Sequence, residues 1–327
     1  MKSFVLILAL VGTSAQAQTQ VKDALLREEI KPAEKSKKGW QKTLSLGANL
    51  SSGTSDNVIG QPNGQTNTFG LNVDGVLTNV SDRDEWRNTL KIGESATRTP
   101  AIPRYSKVKD ELKFESLYLH SIEKYPWMGP YVRASAEAPI FKGEDIRSEA
   151  RTYAFDDGST FTGTSIRLTD GFRPLTTRES VGAFFKLKDL ETNKVEARLG
   201  AGAIQVKADG QRVIKDDAAT PDLEVDDLAD YEQVGVEGAI SWKGSIDEKT
   251  SYSLEAEFLS PVVADQAAGD DRSKFELTNW EIKGRLTSKV YDWMAVDYSA
   301  KVFKQPQLLD KTQAQTLLMV NLTYQIF

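Results

Sequence analysis

The sequence predicts an all-β chain folded as a transmembrane, antiparallel, up-and-down barrel of about twelve strands. Three observations carry that expectation. From Trp40 onward the dominant pattern is an alternation of apolar and polar residues, the period-two signature of strands with one apolar face. The links between these strands alternate short and long along the chain. Most of the tryptophans fall at strand ends on the short-link side. After the N-terminus no apolar run approaches the roughly 18 residues that a membrane helix needs.

The first strand sets Leu44, Leu46, Ala48 and Leu50 against Thr43, Ser45, Gly47 and Asn49. The second opposes Phe69, Leu71 and Val73 to Gly70, Asn72 and Asp74, and the third opposes Trp86, Leu90 and Ile92 to Arg87, Thr89 and Lys91. In the fourth, Leu112, Phe114 and Tyr118 face away from Lys109, Glu111, Lys113 and Glu115. In the fifth, Val132, Ala134 and Ala136 face away from Tyr131, Arg133, Ser135 and Glu137. The same alternation recurs over 181–187, 195–201, 234–242, 252–258, 280–286, 294–302 and 318–326, which makes twelve strands.

Short links fall at 80–84, 121–125, 191–193, 245–248 and 288–291, and longer ones around 53–65, 98–104, 139–177, 208–230, 260–273 and 304–312. Membrane barrels sort their connections in this way, with short periplasmic turns and long outer loops. A soluble sandwich has no reason to do so. An even strand number then places both ends of the barrel on the periplasmic side. Trp40, Trp86, Trp127, Trp242 and Trp293 mark that side, with Tyr118 and Tyr324. Amphipathic rings belong at the headgroup level, where one end is apolar and the other wet.

The N-terminus reads as an export signal. Lys2, the apolar stretch FVLILALV at 4–11 and the small residues of Ser14-Ala15-Gln16-Ala17 form a secretory signal peptide cleaved after Ala17. Residues 1–17 are thus expected to be removed, 18–39 to form a charged periplasmic segment, and 40–327 to form the barrel. The last strand ends in an aromatic, Phe327, a finish recognised by the barrel-insertion machinery. Here Phe327 falls on the face opposite Tyr324 and Ile326.

The stretches DRDEWRNTL (82–90), VKDELKFESLYL (108–119), WMGPYVRAS (127–135) and SIRLTDGFRPLTTRESVG (165–182) resemble an uncharacterised Gram-negative outer-membrane β-barrel family, catalogued as a domain of unknown function. The resemblance runs from Thr43 to Leu190. It implies a barrel in an outer membrane and carries no activity or catalytic residue.

Composition removes several functional classes. With no cysteine there is no disulfide, thiol nucleophile, lipoprotein anchor or zinc finger. One histidine, His120, leaves no multi-histidine metal centre. A net charge of -6, from 41 basic and 47 acidic residues, argues against nucleic acid as a bulk partner. No P-loop, GxGxxG, GxSxG or HExxH motif occurs, so no cofactor and no catalytic residue is expected. His120 falls at a short-turn strand end and reads as an interfacial histidine. The acid pairs Glu111/Glu115 and Glu255/Glu257 share strand faces among interleaved bases, which favours a salt-bridged wall over acid–base catalysis.

The alternation assigns the lumen. Eleven basic side chains are expected to point inward: Arg87, Lys91, Lys109, Lys113, Arg133, Lys186, Arg198, Lys243, Lys283, Arg285 and Lys301. Ten acids do the same: Asp74, Glu111, Glu115, Glu137, Glu196, Glu237, Glu255, Glu257, Glu281 and Asp297. In a lumen as narrow as that of about twelve strands, opposite charges should pair, because an unpaired buried charge costs several kcal/mol. In the 208–230 loop, Asp222, Glu224, Asp226 and Asp227 place oxygen ligands at near-alternate positions, which would suit Ca²⁺. The loop lacks the glycine and closing glutamate of an EF-hand, so a solvated acidic loop near lipopolysaccharide is favoured. The longest loop, 139–177, has room for a short hairpin, an inward fold or a binding surface.

These features point to a narrow, constricted lumen of weak ion selectivity, passing small polar solutes. The rival is a non-conducting structural or surface-interaction barrel whose long loops hold an extracellular partner.

Overall fold

The computed structural model describes residues 38–325 apart from 56–63, 103, 191, 216–219, 267–269 and 292. The signal peptide, the periplasmic segment before Lys38 and the terminal Phe327 lie outside the described residues. Among those described there is no helix. The chain forms β1 (Gly39–Ser55), β2 (Gly64–Val80), β3 (Asp84–Arg98), β4 (Ser106–His120), β5 (Met128–Ala138), β6 (Gly143–Phe155), β7 (Thr160–Thr169) and β8 (Leu175–Leu190). It continues through β9 (Asn193–Lys207), β10 (Arg212–Ile214), β11 (Leu223–Asp227), β12 (Tyr231–Ser245), β13 (Thr250–Ala264), β14 (Asn279–Tyr291), β15 (Met294–Gln305) and β16 (Leu309–Gln325).

Twelve strands form one antiparallel sheet in the order β1-β2-β3-β4-β5-β8-β9-β12-β13-β14-β15-β16, and β16 returns to β1 to close it. The joints are unequal. β1 pairs with β2 over 17 positions, from Gly39 opposite Val80 to Ser55 opposite Gly64. Among the described residues β1 meets β16 over four, from Ser45 opposite Gln325 to Ala48 opposite Leu322. Closure matters because lipid offers backbone groups no hydrogen-bond partner, so a spanning sheet has to satisfy its own edges.

The faces of the sheet are inverted relative to a soluble protein. Leu71, Val132, Leu199 and Val320 are exposed on the outside, while Thr43, Ser45, Asn72, Asp74, Ser180 and Glu237 are buried on the inside. Apolar-out and polar-in is the pattern of a lipid-embedded barrel. At the short-turn end the aromatics pair. Trp40 lies 5.8 Å from Trp86, Trp242 lies 5.4 Å from Tyr252, and Tyr291 stacks on Trp293 at 5.5 Å. Their polar handles find partners along the same belt: Trp86 Nε1 donates to Ser116 Oγ (2.9 Å) and Trp242 Nε1 to Asn193 Oδ1 (2.9 Å).

Two connections differ from the sequence expectation. The last outer link, expected over 304–312, is a short turn at 306–308, because β15 and β16 continue upward until Gln305 faces Leu309. The two longest loops share a second sheet, ordered β10-β11-β6-β7. The 139–177 loop supplies the hairpin β6–β7, and β11 joins it in parallel, Leu223 to Val225 against Tyr153 to Phe155. Tyr153, Ile166, Leu223 and Val225 form its buried core. The acidic spacing, expected to belong to a solvated loop with Ca²⁺ ligation as the weaker reading, is therefore the alternation of strand β11. Leu223 and Val225 turn inward, whereas Asp226 bridges to Lys215 (2.8 Å) and Asp227 to Arg212 (3.0 Å). Asp222, Glu224, Asp226 and Asp227 do not converge, and among the described residues no group of acids has the geometry of a metal site.

Where β8 meets β9, Gly182 faces Gly200. A Cβ on Gly200 would stand 2.7 Å from the Gly182 Cα and 2.2 Å from the Val181 carbonyl oxygen. Gly200→Val should therefore overpack the joint by about 1–3 kcal/mol. The expected result is a smaller fraction of refolded protein showing the heat-dependent mobility shift on SDS gels than is expected of the parent chain.

Candidate functional site

The interior is the candidate site, and it is built by the register. Inward rows of β3, β4, β5, β8, β9, β12, β13, β14 and β15 bring their charges around a cavity of about 630 Å³. Eighteen of the twenty-one lumen residues named from sequence line it: Asp74, Arg87, Lys91, Lys109, Glu111, Lys113, Glu115, Arg133, Glu137, Glu196, Arg198, Lys243, Glu255, Glu257, Glu281, Lys283, Arg285 and Lys301. Glu237 and Asp297 are buried beside it. Glu237 accepts a hydrogen bond from Ser180 Oγ (2.9 Å), and Asp297 accepts one from Thr287 Oγ1.

Several ion pairs join strands that are not neighbours in the sheet, so they run through the lumen. Arg133 on β5 reaches Glu115 on adjacent β4 (2.7 Å), Glu237 on β12 (3.6 Å) and Glu257 on β13 (3.5 Å). Arg178 on β8 donates to the other oxygen of Glu257 (3.0 Å). Nearer the periplasm Arg87 on β3 meets Glu196 on β9 (3.1 Å), and Lys186 on β8 meets Glu85 on β3 (3.2 Å). Pairs along the wall complete the lattice, including Lys113–Glu137 (3.2 Å), Lys109–Glu111 (2.9 Å) and Lys243–Glu255 (3.4 Å). Glu281 holds both Lys283 and Lys301.

Arg178 and Glu85 were not read from the sequence. Both are in phase with inward residues that were, Arg178 with Ser180 on β8 and Glu85 with Arg87 on β3. They fell outside because the strand starts were placed a few residues late. One is basic and one acidic, so the wall stays close to neutral.

Apolar clusters bracket the charged zone. Leu117 and Leu119 near the end of β4, Tyr131 near the start of β5 and Phe184 on β8 pack together inside the barrel toward the short turns. At the outer end Ile204, Val206, Ala208, Tyr231 and Leu259 pack together, with Leu228 and Leu308 against them. The outer loops are tied across this end. Arg272 donates to the Pro306 carbonyl (2.9 Å) and to Asp310 (3.3 Å), which fastens the β13–β14 loop to the β15–β16 turn. His120 stands apart from the lumen chemistry, its Nδ1 2.7 Å from Asp84 Oδ1 at the β2–β3 turn.

No family model matches this chain, and no curated protein matches it, so the resemblance of Thr43 to Leu190 rests on its motifs alone. Solved structures similar to it include the translocator domain of autotransporter NalP from Neisseria meningitidis, at 10% identity and TM-score 0.37 over 92% of each chain. Another is the outer membrane channel DcaP of Acinetobacter baumannii, at 7% identity and TM-score 0.32 over 88% of this chain and 98% of that one. A third is the beta domain of the Bordetella autotransporter Brka, at 9% identity and TM-score 0.31 over 88% and 97%. Likenesses this distant leave the argument with the barrel's own geometry.

Two expectations follow. Glu257 serves two arginines, so Glu257→Gln should destabilise the barrel by about 3 kcal/mol, and adding Arg178→Gln should return part of that loss. Urea unfolding in detergent, run as a double-mutant cycle, measures the coupling. The second concerns the outer clasp. Hydrogen bonds from Arg272 hold the half-buried Asp270 carboxyl down from 3.8 to about 2. A depressed carboxylate contributes above its unfolded value and stops contributing once protonated. The protection of amides in the β13–β14 loop, taken relative to their intrinsic exchange rate at each pH, should stay constant down to about pH 4 and fall between about pH 4 and about pH 2.

Proposed function

We propose that this chain is a narrow outer-membrane channel for passive passage of small polar solutes in a Gram-negative cell. The observation that carries the reading is the charged cavity of about 630 Å³ inside a sheet whose outer face is apolar. A structural plug has no need of a hydrated interior with so many ionised groups. A channel gains from it, because charges along the path replace the hydration that a polar solute gives up. The cross-lumen pairs constrict the path and cancel each other's field. Selectivity from the wall is therefore weak, and the acidic outer loops supply any preference for cations. In this reading lipopolysaccharide surrounds the outer rim and the barrel-insertion machinery delivers the chain.

One observation favours a second reading. The outer sheet of β6, β7, β10 and β11 has its own buried core, and a rigid outer platform suits a barrel whose work is to hold an extracellular partner.

Planar-bilayer recording on the refolded barrel separates the two. The channel reading expects small unitary conductance and a reversal potential near zero in a moderate salt gradient. Silence at every voltage would give the surface-interaction reading precedence. Large, stable and strongly anion-selective conductance would show that the wall charges are not paired as described.

A further inference from the structure

The cavity wall contains one donor whose needs are not met. Arg198 on β9 seats its guanidinium over the Tyr131 ring, 5.7 Å from the centroid, and lines the cavity. Its Nη1 is buried and makes no hydrogen bond. The acids that could serve it are engaged elsewhere: Glu196 with Arg87, and Glu115 with Arg133. A buried donor left unsatisfied is costly, and the cost is recovered when an acceptor arrives.

The register places an acid diagonally across from this arginine. Arg198 faces Ala239 on β12, Ser241 on β12 faces Glu255 on β13, and Glu196 faces Ser241. Ala239 and Ser241 line the cavity between the two charged groups, so the floor there is made of small side chains. Glu255 is among the more open acids of the chamber, its side chain 44% exposed while its lysine partner stands at 3.4 Å. A donor without a partner thus lies on one side of a shallow floor, and an accessible carboxylate lies on the other.

We infer that the chamber is a binding site for small zwitterions of the amino-acid class, with the carboxylate taken by Arg198 and the ammonium by Glu255. Rotation about the outer torsions of Arg198 presents Nη1 to the cavity that its guanidinium already lines. Charge balance supports this class over single ions. A cation entering alone would have to draw an acid away from the base that holds it, and removing one member of a buried pair is the expensive change. An anion entering alone would serve Arg198 but bring a like charge toward the accessible Glu255. A zwitterion brings an acceptor to Arg198 and a cation to the open side of Glu255.

This inference rests on the channel reading, and the experiment separates their failures. The full-length chain is refolded into liposomes, and uptake is measured for β-alanine, erythritol, methanesulfonate and tetramethylammonium, each as the sole probe. β-Alanine is expected to enter about tenfold faster than erythritol, the worth of one charge-assisted hydrogen bond. Arg198→Gln and Glu255→Gln should each lower the ratio of β-alanine to erythritol uptake about tenfold. Both variants should keep the heat-dependent gel shift of a folded barrel. Equal uptake of β-alanine and erythritol, or faster uptake of either single ion, overturns the zwitterion site and leaves the channel standing. Exclusion of all four probes overturns the channel reading itself.

Discussion

The interior of this barrel is organised around Arg133. Its side chain is 4% exposed and stands within reach of carboxylates on three other strands, Glu115, Glu237 and Glu257. A guanidinium suits such a position because its planar fork presents several donors in fixed directions. Two of the carboxylates it holds are in turn bound elsewhere, Glu257 to Arg178 and Glu237 to Ser180. The pairs between Arg87 and Glu196 and between Lys186 and Glu85 extend the lattice toward the periplasm. The same lattice sets the width of the lumen and its near-neutral field.

Much of this was legible in the alternation of the sequence. A strand in lipid has to keep one face apolar, and the same rule forces its polar residues inward, so the rows of Lys91, Glu111, Lys113, Glu137 and Lys283 can be read without coordinates. Boundaries were harder. Arg178 and Glu85 obey the rule but stand where turn-like residues precede the strands, and the alternation is short there. Partners across the lumen were beyond a one-dimensional pattern. The joining of β5 to β8 depends on 139–174 folding into its own unit, and only that adjacency brings Arg178 toward Glu257.

Two features ran against the pattern for physical reasons. Leu117, Leu119 and Phe184 are apolar residues on inward rows, so they read as breaks in the alternation although they close a packed cluster inside the barrel. The β11 acids left two readings open in the sequence. Alternate acids along a strand and alternate ligands in a cation loop look the same in sequence, and the buried Leu223 and Val225 between them settle the matter for the strand.

The joint between β1 and β16 has a mechanical consequence. A closed sheet carries outward load as a hoop does, and tension around a hoop is the same at every joint. The β1–β2 joint shares that tension over 17 positions, while the described residues of the β1–β16 joint share it over four. Over the described residues, the load on each hydrogen-bonded position is therefore several times greater at the seam than beside it. Anything that presses the lumen outward, from swelling of its water to a bulky side chain on an inward row, strains the terminal strands first and leaves the charged lattice between β3 and β13 the last part to yield.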